Sequence, residues 1–148
     1  GNIYTSAEQA GRFFEMLLSG GSYQGKQILS EKTIFRATLP TTGVNIDRTL
    51  LIPMRYALGP MLGSNPVGLF GPMTGQAFGH LGFSNILCWA DPERDISVSL
   101  LTTGKSVVGT HLPAIANLLY QISTQCPRIP RDQRRSLFGS DSHETDLV

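Results

Sequence analysis

The side chains able to do chemistry are few and scattered. Histidines stand at 80, 111 and 143, and cysteines at 88 and 126. No histidine has metal-ligand spacing with another or with a cysteine pair, so no metal site and no cofactor is expected. Carboxylates crowd one stretch, Asp91-Pro92-Glu93-Arg94-Asp95. Such a cluster could bind a cation or act as an acid/base pair. Pro and charges between two apolar runs are also turn chemistry, and a solvated hairpin tip is the expectation. Two glycine motifs fail on spacing. Thr102-Thr103-Gly104-Lys105-Ser106 resembles the end of a phosphate-binding loop, but Ser99 stands where the first Gly is needed. Gly82-Phe83-Ser84-Asn85-Ile86 resembles a nucleophile elbow, but Ile86 replaces the last Gly and an apolar strand follows, so Ser84 is read as a strand residue. What remains is Gly79-His80-Leu81-Gly82. Two readings stay open. It is a glycine-eased strand start with an incidental histidine, or it is the wall of a site. In a wall, His80 is a donor or base near neutral pH, and the N–H groups beyond it bind an extended substrate or an oxyanion.

The elements that must position this stretch are legible from periodicity. Ile86–Ala90 and Ile96–Leu101 are two apolar runs, the second alternating, on either side of the acidic turn. They predict an antiparallel hairpin, with Gly79–Gly82 at the start of its first strand. Ser6-Ala7-Glu8-Gln9 is a capping box, and Ala10, Phe13, Phe14, Leu17 and Leu18 recur at helical spacing up to Gly20-Gly21. Ser30 caps a second short helix that Pro40 stops. Arg55–Leu62 reads as a short strand and residues 63–76, rich in Gly and Pro, as a surface loop. A third helix begins at His111 or Pro113 and ends near Ser123, with Leu112, Ile115, Leu118, Leu119 and Ile122 as its stripe. The fold class is therefore α+β: an antiparallel sheet with a central hairpin, covered by the first and third helices. Residues 1–125 form the domain, and 126–148 read as a polar, disordered tail.

The chain has 148 residues and a net charge of +1, which offers no electrostatic case for nucleic acid. No apolar run reaches the roughly 18 residues of a transmembrane helix. Cys88 reads as a small buried hydrophobe, and its pairing with Cys126 has no framework behind it. Gly1-Asn2-Ile3-Tyr4 reads as the middle of a longer chain.

Several stretches are together familiar. Gly79-His80-Leu81-Gly82-Phe83, the strand ending Trp89-Ala90-Asp91-Pro92, and the next strand, ending near Thr102-Thr103-Gly104, resemble the late strands of the penicillin-recognising serine hydrolases. That family includes class C β-lactamases, DD-peptidases and related esterases. The first helix with its double Gly, Leu29-Ser30-Glu31-Lys32-Thr33 and Tyr56-Ala57-Leu58-Gly59 resemble family segments in the same order, so the resemblance runs from Gly1 to about Ser123.

The resemblance implies the C-terminal part of the β-lactamase/transpeptidase-like fold. In that family a Ser in Ser-x-x-Lys forms an acyl-enzyme, and a Tyr in Tyr-x-Asn or Tyr-x-Ser moves protons. A third motif, Lys-Thr-Gly or His-x-Gly, maps onto His80-Leu81-Gly82. On this mapping His80 lines the site wall, the Phe83 N–H is an oxyanion donor, and Leu81, Gly82 and Ser84 border the substrate. The implied partners are a small ester, amide or peptide-like substrate in the full-length protein and an N-terminal half of the same fold. The chain departs from the pattern. Ser30 is followed by Glu31, Lys32 and Thr33, so Ser-x-x-Lys is absent, as is the Tyr motif. Leu81 stands where a hydroxyl usually holds a substrate carboxylate, which speaks against β-lactam or D-Ala-D-Ala recognition and favours an ester-like substrate, or none. The chain alone is expected to be inactive. The alternative is a non-catalytic binding or assembly module.

Overall fold

The structure, a computed structural model, describes residues 4–82, 84, 86–103 and 109–134. Helix α1 spans Ala7–Leu18, and its capping box forms as expected: Ser6 Oγ accepts the Gln9 N–H, and Gln9 Oε1 accepts the Ser6 N–H. Gly20 and Gly21 end it at positive φ. A Cβ on Gly21 would lie 2.1 Å from Leu29 O, so the chain must turn here on glycine. Phe14, Leu17 and Leu18 face the core; Phe13, expected beside them, is 52% exposed, and Met16 is buried instead. A small hairpin, β1 (Ser22–Tyr23) and β2 (Lys26–Gln27), leads to helix α2, Glu31–Thr38, capped by Ser30.

Among the described residues six strands form one antiparallel sheet: β3 (Asn45–Ile46), β4 (Pro53–Tyr56), β5 (Met61–Leu62), then, after a two-strand hairpin of β6 (Val67–Gly68) and β7 (Gly71–Pro72), β8 (Phe78–Gly82), β9 (Ile86–Asp91) and β10 (Ile96–Leu100). The order across the sheet is β10-β9-β8-β5-β4-β3. The expected single strand 55–62 is thus two strands. Gly59-Pro60 folds back between them, with the Ala57 N–H donating to Pro60 O at 3.0 Å. The expected hairpin is present, but Gly79–Gly82 belongs to a separate strand. Gly82 ends β8, and Ser84, a turn-forming type, stands in a turn before β9. The loop at 63–76 is not all surface either. Phe70 is fully buried and stacks on Trp89, with centroids 5.4 Å apart.

Successive side chains point to opposite faces of the sheet, and each face carries its own core cluster. On one face Leu62, Phe78 and Ala90 pack with Leu18, Phe14 and Leu17 of α1. On the other, Leu87 and Trp89 pack with Phe70 and with helix α3 (Leu112–Gln125) through Ile115, Leu119 and Ile122. His111 is the α3 N-cap. Cys88 and Cys126 are free thiols.

The acidic turn is not a solvated tip. Asp91 is 1% exposed and Glu93 7%. Arg94 Nη1 donates to Asp91 Oδ2 at 2.7 Å, and its other N–H groups reach Ser123 O, Cys126 O and Pro72 O. The guanidinium therefore ties the turn to the C-terminal end of α3, where carbonyls lack helical donors. Nor are residues 127–134 a loose tail. The Ile129 N–H donates to Glu93 O at 2.8 Å, and Arg128 and Arg134 both pair with the Glu93 carboxylate. A short 3₁₀ turn at Arg131–Gln133 follows. The rest of the expected tail, with His143, lies outside the described residues, as do Gly104–Val108 of the phosphate-loop-like motif.

Candidate active-site wall

Register explains why two glycines flank His80. Gly79 stands opposite Trp89, and a Cβ there would lie 2.2 Å from Cys88 O and 2.4 Å from Trp89 Cβ. The close neighbour is the next strand, not a ligand. Gly82 is less constrained; a Cβ there would sit 3.2 Å from Ile86 Cβ.

Alternation then sorts the motif. His80 shares the α1 face with Phe78 and with Cys88, its cross-strand partner. It is exposed, while Phe78 and Gly79 before it are buried. Its Nδ1 lies 2.9 Å from Leu81 O, a bond that orients the ring. Leu81 points to the opposite face and packs against the Trp89 cluster. Its side chain therefore does not line the same surface as His80.

The backbone edge is the notable feature. β5 pairs with β8 only at Leu62–Phe78 and Met61–Gly79. The next residue in register on β5 is Pro60, which has no N–H and turns away with Gly59. Beyond Gly79, the edge of β8 that faces β5 carries no backbone ladder among the described residues. There the Leu81 N–H makes only a soft contact, 3.4 Å to Met61 Sδ. An exposed imidazole thus stands beside a strand edge without a backbone ladder, where the Leu81 N–H and C=O are held only by side chains, Met61 Sδ and the His80 ring.

Of the other expected site residues, Ser84 is half-buried in the turn after β8, not in a strand, and its carbonyl accepts the Thr102 hydroxyl. Phe83, the expected oxyanion donor, lies outside the described residues. Among the described residues no group of three metal-ligating side chains comes together, and no helix is long and apolar enough to cross a membrane. A polar pair absent from the sequence reading joins β4 to the loop before it. Tyr56 donates to Asp47 Oδ2 at 2.7 Å, while Asp47 Oδ1 accepts the Thr49 and Leu50 N–H groups. The Tyr56 bond first, and then these two, hold the Asp47 carboxyl below its usual range. The same bond, burial and the Asp47 charge push Tyr56 up to about 12. The signal for it was an Asp just before a turn, nine residues ahead of a strand Tyr.

An antiparallel sheet with helices on both faces is the fold expected from the resemblance. Residues 1–120 match the family model described as Beta-lactamase, and the chain belongs to that family of serine hydrolases. It is 29% identical over 100 residues to the esterase/β-lactamase LipL of Mycobacterium tuberculosis (strain ATCC 25618 / H37Rv), covering 68% of this chain and 22% of that protein. Two solved structures share its fold. A penicillin-binding protein homolog from Caulobacter crescentus matches with TM-score 0.68 and 24% identity, over 81% of this chain and 32% of its own. A family VIII carboxylesterase matches with TM-score 0.60 and 22% identity, over 80% and 31%. The chain thus spans about a fifth of the curated relative and a third of the solved chains.

Proposed function

We propose that this chain supplies one wall of an acyl-transfer site that hydrolyses an ester, an amide or a β-lactam, with an ester favoured. In this reading the attacking Ser and its Lys come from a portion of the fold outside residues 1–148. The observation that carries it is the exposed His80 beside the unladdered edge of β8. An extended acyl group can lie along that edge and take backbone hydrogen bonds. The Phe83 N–H serves as the oxyanion donor, Gly82 and Ser84 border the acyl group, and the imidazole donates to, or takes a proton from, the reacting atoms. Leu81 contributes no hydroxyl, so a substrate carboxylate finds no partner there, which is why a neutral ester is preferred. Without a nucleophile the 148-residue chain does not turn over substrate.

The test is a substitution in a protein that carries this chain together with a Ser-x-x-Lys portion. His80→Ala should lower kcat/KM for a p-nitrophenyl ester by roughly 100-fold, the low end for a positioned acid or base. Cys88→Ala, on the neighbouring strand, should leave it unchanged. An unaltered kcat/KM in His80→Ala would remove His80 from the chemistry.

A further inference from the structure

The described residues hold an open polar cleft, of about 330 Å³, lined by Val44, Arg55, Ser64, Asn65, Gly75 and Gln76. Arg55 stands opposite Leu62, which stands opposite Phe78, so it starts from the same sheet face as His80. Strand spacing and rise separate the two Cα atoms by roughly 12 Å. Leu62 and Phe78, members of the core cluster on the α1 face, stand between them. The cleft is therefore separate from the His80 wall.

Its construction favours a ligand with negative oxygens. Arg55 Nη1 donates to Gly63 O at 2.9 Å and Gly75 O at 3.3 Å, which fixes the guanidinium plane. Nε and Nη2 have no partner among the described residues, and no carboxylate lines the cleft. Beside the guanidinium stand Asn65, whose Oδ1 accepts the Gly75 N–H and whose amide N–H groups stay available, and the exposed Gln76. The frame is tight. A Cβ on Gly63 would lie 1.9 Å from Thr74 O, so that glycine is needed to bring these loops together, while one on Gly75 would meet only the Asn65 side-chain amide, at 2.6 Å. Val44 adds an apolar rim.

We infer that this cleft binds a small carboxylate with a short apolar stem. The guanidinium fork takes the two oxygens, the Asn65 and Gln76 amides flank them, and Val44 meets the stem. This does not rest on the hydrolase reading, because binding is read without turnover.

The experiment is an NMR titration of the full chain with butyrate at fixed ionic strength, with chloride and inorganic phosphate as comparisons. The expected result is saturable movement of the Arg55 Nε–H and the Asn65 and Gln76 amide signals, in about the millimolar range. Gln76→Glu places a carboxylate beside the guanidinium while leaving the Arg55 carbonyl bonds alone, and should weaken binding at least about 10-fold. Its fold is checked by Trp89 fluorescence. Movement that follows chloride equally, binding unchanged in Gln76→Glu, or phosphate bound more tightly than butyrate would each overturn the inference.

Discussion

Replacing Arg94 by Met should be among the most damaging single changes in the chain. Arg94 and Asp91 have side chains 4% and 1% exposed, 2.7 Å apart. Met keeps much of the volume and removes the charge. Among the described residues Asp91 then keeps only the Glu93 N–H at 2.9 Å, and Ser123 O, Cys126 O and Met73 O lose a donor. Breaking one partner of a buried pair costs about 3–5 kcal/mol. The orphaned carbonyls add about 1 kcal/mol, since the ones at the end of α3 can recruit water. The expected loss is about 4–6 kcal/mol, comparable with the whole stability of a marginal domain. Trp89 is the single tryptophan and is 1% exposed, so its fluorescence reports urea unfolding directly. The double change Asp91→Leu/Arg94→Met should recover at least about 2 kcal/mol of the loss, because no uncompensated charge stays buried. A loss under about 1 kcal/mol in Arg94→Met, or a double variant less stable than the single, would refute the reasoning.

Other outcomes follow from single contacts. Gly79→Ala should cost roughly 2–3 kcal/mol, because its Cβ collides with backbone and with Trp89; a smaller urea-midpoint shift than in Gly82→Ala would contradict this. Gly11→Ala should stabilise by about 0.5–1 kcal/mol, since its Cβ meets Ser99 Oγ at an ordinary 3.7 Å and alanine is the better helix former; a lower melting temperature would count against it. The Asp47–Tyr56 pair gives two pH flanks. Asp47 is depressed when folded, so its contribution is present above 3.8 and lost as pH falls through the lower folded value. Tyr56 is raised, so its contribution is full below 10.0 and lost as pH rises to about 12. Tyr56→Phe should flatten the alkaline flank relative to the parent chain in urea midpoints between those values, and an unchanged slope would contradict the pairing.

Much of the fold could be read from local chemistry. Ser6 and Ser30 cap, double Gly stops and strand alternation all act within a few residues, and each appears where expected. What escaped the reading depends on distance. Glu93 is buried because Arg128 and Arg134 return to it from 35 and 41 residues away. Phe70 is core because Trp89 stacks on it from across a glycine-rich loop. The Gly59-Pro60 turn and the break after Gly82 were visible as turn-forming types, but apolar neighbours made both stretches look continuous. At the candidate site, the sequence pointed to Gly79–Gly82 and the resemblance gave it a role. The opposite faces of His80 and Leu81 follow from simple alternation. The open edge of β8 does not, since it depends on where β5 ends.

The most direct measurement is serine-directed labelling with a fluorophosphonate probe, run beside p-nitrophenyl ester turnover. The 148-residue chain is compared alone and joined to a portion bearing Ser-x-x-Lys. The expected result is no labelling or turnover above background for the chain alone, and both when joined, with the label on the Ser of the added motif. Labelling of Ser84 or any other serine within residues 1–148, accompanied by turnover, would contradict the reading of this chain as a wall without a nucleophile.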